Sequence, residues 1–218
     1  MSKSKVFLID DHPVVRQGLA TLINQQADLE VCGEADDAAS ALAGIGRTKP
    51  DIALVDLSLK TSSGLELIKD LAIQFPNVCS IVLSMYDEMT YAERVLRAGA
   101  GGYVGKRETN TNLLAAIRKV LAGGVFVSER VMTAIAEKMG PPKRMRADSI
   151  VDQLSDRELE VFRLMGRGRS TSQIAEEMRI SIKTVQAYHA RMKEKLGLQN
   201  ATQLMREAVR WESSTEPK

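Results

Sequence analysis

The feature that constrains this chain most is a recurring pattern in which a short apolar run ends on a polar side chain. The central case is DIALVDLSLKTSSG, residues 51–64, where Ile52, Ala53, Leu54 and Val55 lead into Asp56. A run that is apolar at every position suits a strand covered on both faces, as in parallel sheets flanked by helices. Such open sheets carry their chemistry beyond the carboxyl ends of the strands, which is where Asp56 falls. Three other runs behave alike: Val6 to Ile9 stops at Asp10 and Asp11, Ile81 to Leu83 at Ser84, and Tyr103 and Val104 one glycine before Lys106. Asp11 to Asp56 is 45 residues, Asp56 to Ser84 is 28 and Ser84 to Lys106 is 22. These intervals hold two, one and one βα units. One sheet edge should therefore gather three carboxylates, a hydroxyl and an ammonium.

Clustered carboxylates repel one another and invite a hard cation; Mg²⁺, which binds a few carboxylates and phosphate oxygens, is the natural candidate. With that charge balanced, Asp56 can accept a phosphoryl group. Lys106 and the Ser84 hydroxyl could neutralise its equatorial oxygens, leaving an acyl phosphate on Asp56. Taken singly, each residue has a plainer reading, since Asp at a strand end often caps the next helix and an Asp-Asp pair is often a solvated turn. Agreement across several strand ends favours the chemistry.

Residues 5–122 resemble the receiver domain of a bacterial two-component response regulator. Asp10, Asp11, Asp56, Gly64, Ser84, Tyr103 and Lys106 stand where the motif of that family puts them. The resemblance implies that Asp11, Asp56 and the backbone carbonyl of Ser58 hold Mg²⁺, with Asp10 acting mostly through water. It also implies that Ser84 and Tyr103 form a switch pair and that a sensor histidine kinase is the phosphodonor. Two positions depart from the pattern: Lys60, followed by Thr61, Ser62 and Ser63, replaces the usual proline, and Gly105 replaces a more usual aliphatic residue.

At 218 residues, the chain has room for two small domains, each with its own core. With 44% apolar and 27% charged residues and no apolar run near membrane-spanning length, its composition is that of a soluble globular protein. The opening MSKSKVFLIDD reads as a first strand, not a signal peptide. Cys32 and Cys79 lack metal-type spacing and read as buried free thiols of a cytoplasmic protein. Residues 141–218 carry net charge +4 and the remainder −2, a modest pointer to nucleic acid in the second half.

Helical spacing follows the first strand at Val14, Val15, Leu19, Leu22 and Ile23, and Leu29 to Ala35 alternates like an edge strand. Helices are expected over Ala38 to Ile45, Leu65 to Phe75, Thr90 to Arg97 and around Leu113 to Leu121. The result is a flavodoxin-like, five-stranded, doubly wound parallel domain. Another amphipathic helix is expected between Ser128 and Met139, with Val131, Met132, Ile135 and Met139 on one face. Gly140, Pro141 and Pro142 stop it, and KRMRADSIVDQ reads as an exposed linker.

From Gln153 the punctuation is that of short capped helices. Ser155 with Glu158, Ser170 with Gln173, and Asn200 with Gln203 form capping boxes, and Ser181 is an N-cap. Four helices follow, and the second and third are joined so tightly that they form a helix-turn-helix. In the third, Ile182, Val185, Tyr188, Met192 and Leu196 form an apolar stripe, leaving Lys183, Gln186, Ala187, Ala190 and Lys193 free for the major groove. Gln186 suits a bidentate contact to adenine, the alanines allow close approach, and the cations suit phosphates.

The run over residues 154–209 is similar to the DNA-binding domain of LuxR-type regulators: LSDRE, the glycine break, IAEEM, ISIKTV and KLGLQN occur in that order. With the receiver it implies a NarL/FixJ-type response regulator. The candidate DNA-binding residues are Lys183, Thr184, Gln186, Ala187, Tyr188, His189, Ala190, Arg191 and Lys193. Gln186 and Tyr188 replace the usual lysine and histidine, so the target sequence does not carry over.

The architecture expected is an α/β domain joined to an all-α one. Residues 1–124 form the receiver, 125–152 a helix and linker, and 153–218 the DNA-binding domain. The function implied is a phosphorylation-switched transcriptional regulator that binds double-stranded DNA and forms a homodimer when phosphorylated, with no membrane partner and no enzymatic turnover beyond slow autodephosphorylation. One alternative is a phosphorylation-independent DNA binder whose receiver only dimerises, which Lys60 keeps open. Another is an Asp-dependent phosphatase of the haloacid-dehalogenase kind, disfavoured because His12 stands where that family has its general acid.

Overall fold

A computed structural model describes residues 3–59, 63–139 and 150–215. Lys60, Thr61 and Ser62, the stretch Gly140 to Pro142 expected to stop the helix, and most of the expected linker lie outside the described residues. The chain divides into two compact units, Met1–Ala136 and Glu137–Lys218.

The first unit alternates strand and helix: β1 (Ser4–Ile9), α1 (Pro13–Asn24), β2 (Leu29–Ala35), α2 (Ala38–Thr48), β3 (Ile52–Asp56), α3 (Gly64–Gln74), β4 (Cys79–Ser84), α4 (Glu88–Arg97), β5 (Gly102–Gly105) and α5 (Thr109–Leu121). The strands form one parallel sheet in the order β2-β1-β3-β4-β5. This is the doubly wound arrangement whose strand order reverses beside β1 and β3. All five residues of β3 are buried, as its unbroken apolar run requires, whereas β2 is an edge strand and most of its residues are half-buried. One core layer joins Leu8, Leu54, Ile81 and Val104 of the strands to Leu19 and Ile23 of α1 and Leu113 and Ile117 of α5.

Several expected boundaries move. The second helix runs on to Thr48 and is closed by Lys49 in the left-handed conformation at φ 48°, a stop that apolar periodicity does not encode. Cys32 and Cys79 are free but half-buried, not buried: Cys32 lies on the edge strand β2 and Cys79 opens β4.

After α5 the chain returns to the sheet. Phe126 accepts the Tyr103 N–H at 2.8 Å and donates its own N–H to Gly101 at 3.0 Å, so it pairs along the outer edge of β5. Ser128 then caps α6 (Glu129–Met139) through the Val131 N–H at 3.3 Å. Val131 is buried, but Met132 is 44% exposed, so the packed face of this helix is narrower than its apolar positions imply.

In the second unit a short helical turn, Ile150–Gln153, precedes α7 (Asp156–Gly166), α8 (Thr171–Glu177), α9 (Ile182–Lys195) and α10 (Ala201–Thr215). Both capping boxes form at Ser155 and Ser170, and Ser181 accepts the Thr184 N–H. At Asn200 the arrangement differs slightly: Asn200 accepts the Gln203 N–H at 2.9 Å, while Gln203 reaches back to the N–H of Gln199, one residue further out. Phe162 of α7 meets Trp211 of α10 at a centroid distance of 5.8 Å, and Arg167 pairs with the buried Glu212 at 2.6 Å.

Candidate functional site

The sheet register assembles the first site. Ile9 lies beside Val55 and Asp56 beside Leu83, so Asp10, Asp56 and Ser84 leave three adjacent strands at one edge. Ser84 lies beside Gly105, which brings Lys106 to the same edge. Gly64, the first residue of α3, passes so close to the Asp56 carbonyl and the Leu57 Cα that a Cβ there would overlap both. Only glycine lets the chain turn this tightly behind the Asp56 carboxylate. A Cβ on Gly105 would meet open space, so nothing in the packing requires glycine there.

Asp10, Asp11 and Asp56 are all buried, and Lys106 bridges two of them, with Nζ 2.6 Å from Asp10 Oδ2 and 2.8 Å from Asp56 Oδ2. The Ser58 N–H donates to Asp56 Oδ1 at 3.1 Å, holding the loop after β3 against the carboxylate. Burial raises the Asp56 carboxyl above the ordinary range, against the opposing pull of Lys106. Burial also works against the Lys106 charge, but the Asp10 and Asp56 carboxylates outweigh it and raise its pKa.

His12 belongs to this site too: its Nδ1 is 2.6 Å from Asp11 Oδ1 and 3.2 Å from Asp10 Oδ1. One donor atom from each of Asp10, Asp11, His12 and Asp56 can be chosen so that all four lie within 4.8 Å of one another. An oxygen-rich set of this size and charge fits Mg²⁺.

Ser84 stands at the same sheet edge as the carboxylates, with Tyr103 on the neighbouring strand, and both are bonded to Tyr86. The Ser84 hydroxyl accepts the Tyr86 N–H at 3.1 Å and the Tyr103 hydroxyl donates to the Tyr86 carbonyl at 2.8 Å. Tyr103 is buried, which pushes its phenol far above the ordinary value. Tyr86 was not singled out from the sequence, because a residue that contributes only backbone groups leaves no signal there.

The second candidate surface is α9. Lys195 at its end pairs with the buried Glu158 of α7 at 2.6 Å, fixing the helix against its neighbour. Burial would raise Glu158, but Lys195 and the Ser155 groups bring its pKa below the ordinary value. Lys183, Gln186, Ala187, Ala190 and Arg191 are exposed along one side, and Thr184, Tyr188 and Lys193 are half-buried at its borders.

Two residues differ from the expected stripe. Ile182 is 51% exposed, because it opens the helix ahead of the packed turns. His189 turns inward: it stands four residues after Val185 and three before Met192, both buried, and its Nε2 is buried without a hydrogen-bond partner. The ring as a whole is half-buried, like Thr184, Tyr188 and Lys193, and is not among the fully exposed residues of this side.

Residues 6–118 match the response regulator receiver domain, and residues 152–208 match the LuxR family of bacterial regulatory proteins. The oxygen regulatory protein NreC of Staphylococcus aureus is 35% identical over 210 residues, spanning 94% of this chain and 97% of the relative. The RcsB response regulator of Salmonella typhimurium aligns with a TM-score of 0.72 at 27% identity, over 99% of this chain and 100% of that one. RcsB bound to promoter rprA in the presence of the phosphomimetic BeF3⁻ aligns with a TM-score of 0.67 at 26% identity, over 95% and 99%. With both domains matched in order on one continuous chain, the protein belongs to the response regulators that join a receiver domain to a LuxR-type DNA-binding domain.

Proposed function

We propose that Asp56 accepts a phosphoryl group from the phosphohistidine of a sensor histidine kinase and that this modification controls binding to double-stranded DNA. The observation that carries the reading is Lys106, held between the Asp10 and Asp56 carboxylates at 2.6 and 2.8 Å. An ammonium so placed is ready to pair with a phosphoryl oxygen once Asp56 carries an acyl phosphate. Asp10, Asp11, Asp56 and the Ser58 carbonyl would hold Mg²⁺, which when bound supplies positive charge against the transferring phosphoryl oxygens. Asp56 is the nucleophile, and its burial limits water at the acyl phosphate, so hydrolysis of that bond is slow and self-catalysed. Ser84 lies one residue beyond the Asp56 pairing partner Leu83, a position from which its hydroxyl can turn to the phosphoryl group.

In the second domain, Lys183, Gln186, Ala187, Ala190 and Arg191 face the major groove, with Thr184, Tyr188 and Lys193 at its margins. Phosphorylation acts by forming homodimers that place two such helices on one duplex, which raises the effective concentration of the second contact. The RcsB complex with promoter DNA in the presence of a phosphomimetic supports this coupling. A cytoplasmic location follows from the DNA target, and among the described residues no helix is long and apolar enough to cross a membrane.

Intact-mass analysis with a small phosphodonor tests the first step. One phosphoryl adduct is expected with Mg²⁺, none without it and none in Asp56→Ala; an adduct retained in that variant would overturn the assignment.

A further inference from the structure

β5 is the outermost strand of the sheet, and a later segment of the same chain lies along its free side. Phe126 accepts the Tyr103 N–H at 2.8 Å and donates to the Gly101 carbonyl at 3.0 Å, and the Ser128 N–H donates to Glu88 Oε1 at 2.8 Å. The Phe126 ring is half-buried against the sheet core. Gly102 permits this approach, since a Cβ there would stand 2.7 Å from the Phe126 carbonyl oxygen and 3.1 Å from its Cβ. The segment starts beside Gly123, left-handed at φ 82° with open space around it, and leads directly into α6. Beyond it the attachment is thin: among the described side chains of α6, Val131 is buried, Ala134 and Ile135 are half-buried and the others are exposed. An element with so few buried contacts opens more readily than the sheet it lies on.

The chain from Ser84 to Glu88 joins this segment to the carboxylate edge. Ser84 accepts the Tyr86 N–H at 3.1 Å, Asp87 caps α4 through the Thr90 N–H at 2.9 Å, and Glu88 opens that helix. Tyr103 is held at both ends, its hydroxyl on the Tyr86 carbonyl and its N–H on Phe126. We propose that residues 124–128 are a strap that holds the start of α6 on the edge of β5 and is released when Asp56 is phosphorylated. Ser84, drawn to the phosphoryl group, lets go of the Tyr86 N–H, and the first turn of α4 shifts and takes Glu88 away from Ser128. A chain that leaves the receiver from a released strap is no longer fixed in direction, which lets two DNA-binding domains engage one duplex. The proposal rests on the reading of Asp56 as phosphoacceptor and adds the element that lets go.

Backbone amide exchange, followed by NMR on the full chain, tests it. The amides of Tyr103, Phe126 and Ser128 report the strap, and the Gly101 N–H, bonded inward to the Ser80 carbonyl at 2.8 Å, is the reference that release leaves paired. Asp56 is kept phosphorylated by excess small phosphodonor with Mg²⁺, and the adduct is confirmed by intact mass. Protection of the three strap amides is expected to fall about tenfold while that of Gly101 holds. Gly102→Ala, which pushes the strap off, and Glu88→Gln, which weakens its tie, should show the same loss without phosphodonor. Both should then bind a selected duplex more tightly than unmodified wild type does. Unchanged strap protection in the phosphorylated protein overturns the release and leaves Asp56 as acceptor standing, whereas absence of the adduct overturns both. Strap protection lost in Glu88→Gln with no gain in DNA affinity overturns the link to output. Should Gly102→Ala lose Gly101 protection too, β5 itself has come apart, and Glu88→Gln, which adds no atom to the strand, decides alone.

Discussion

Ser84 and Tyr103 grip the same residue from its two sides: the Ser84 hydroxyl accepts the Tyr86 N–H at 3.1 Å, and the Tyr103 hydroxyl donates to the Tyr86 carbonyl at 2.8 Å. The loop between β4 and α4 is thus bonded to one group beside the carboxylates and to another on β5. A Ser84 hydroxyl drawn toward a phosphoryl group on Asp56 must release the Tyr86 N–H, while the Tyr103 bond to the Tyr86 carbonyl can stay.

Ser84→Ala removes the group that would respond to the phosphoryl oxygen while leaving Asp56 and Lys106 in place. The variant is expected to take up phosphate on Asp56 but to lose most of the phosphorylation-dependent gain in DNA affinity. Mass analysis paired with anisotropy on a target duplex checks this, and a full gain in the phosphorylated variant would refute it.

The same loop leads into a second tie. Glu88, the first residue of α4, accepts the Ser128 N–H at 2.8 Å, and Ser128 caps the helix that leaves the receiver. Phe126, two residues earlier, is bonded to the backbone of Tyr103. Movement at Tyr86 therefore has a short path to α6. Glu88→Gln weakens a charge-assisted bond of about 1.5–3 kcal/mol. It is expected to cut the phosphorylation-dependent gain in DNA binding roughly tenfold while the phosphorylation rate stays that of wild type. An unchanged gain would exclude this path.

Asp56 supplies a pH-dependent stability test. Its carboxyl is raised in the folded chain by burial, so ionised Asp56 costs stability at neutral pH, and that cost fades as pH falls through the raised value. Asp56→Asn should therefore melt above wild type at pH 7.5, by roughly 2–4 °C for each kcal/mol gained. The gap should narrow toward pH 5. A gap of constant size, measured by differential scanning fluorimetry, would contradict the sign.

How much of this was legible in the sequence depended on what each residue was asked to encode. The strands of the sheet core were legible because burial on both faces leaves apolar runs, and the polar residue ending each run marked the functional edge. Edge strand β2 was legible from alternation. The burial of His189 Nε2 was not legible because a polar type does not reveal an angular position between Val185 and Met192, nor was the exposure of Ile182, because an apolar type says nothing about standing ahead of the packed turns. The Tyr86 bonds and the contact of Glu88 with Ser128, 40 residues apart, were not legible at all. Such pairings depend on where loops fall in space, and neither partner carries a periodic signal.

His189 gives a second pH-dependent expectation. Burial lowers its pKa, with a further contribution from the nearby Lys193 charge. A depressed folded value means that the unfolded chain takes up the proton first, so stability is lost as pH falls below the ordinary imidazole value of about 6.5. Proton NMR of the full chain, with His12→Asn to assign the two rings, should show His189 titrating below that value. Titration at or above it would place the ring in solvent, against the inward orientation.

On the proposed DNA-binding face of α9, substitutions should separate residues that discriminate bases from residues that only attract the duplex. Gln186 is exposed at the centre of that face, and its amide can pair with the N6 and N7 edge of adenine, a pattern no phosphate offers. Gln186→Ala is expected to lose about 1–3 kcal/mol of discrimination at one or two base pairs and little at the others. Lys183 is exposed at the start of α9, and its ammonium, a point charge on a flexible stem, suits phosphate oxygens. Lys183→Ala should weaken all sequences alike and lower the slope of log affinity against log salt by about 1. His189→Asn should alter neither base preference nor salt slope, because the Nε2 edge of the ring is buried. Binding-site selection on the phosphorylated protein, followed by anisotropy titrations of the three variants across salt concentrations, decides among these roles. A Gln186→Ala variant that keeps its base preference, or a His189→Asn variant that changes it, would mean that a different face of α9 enters the groove.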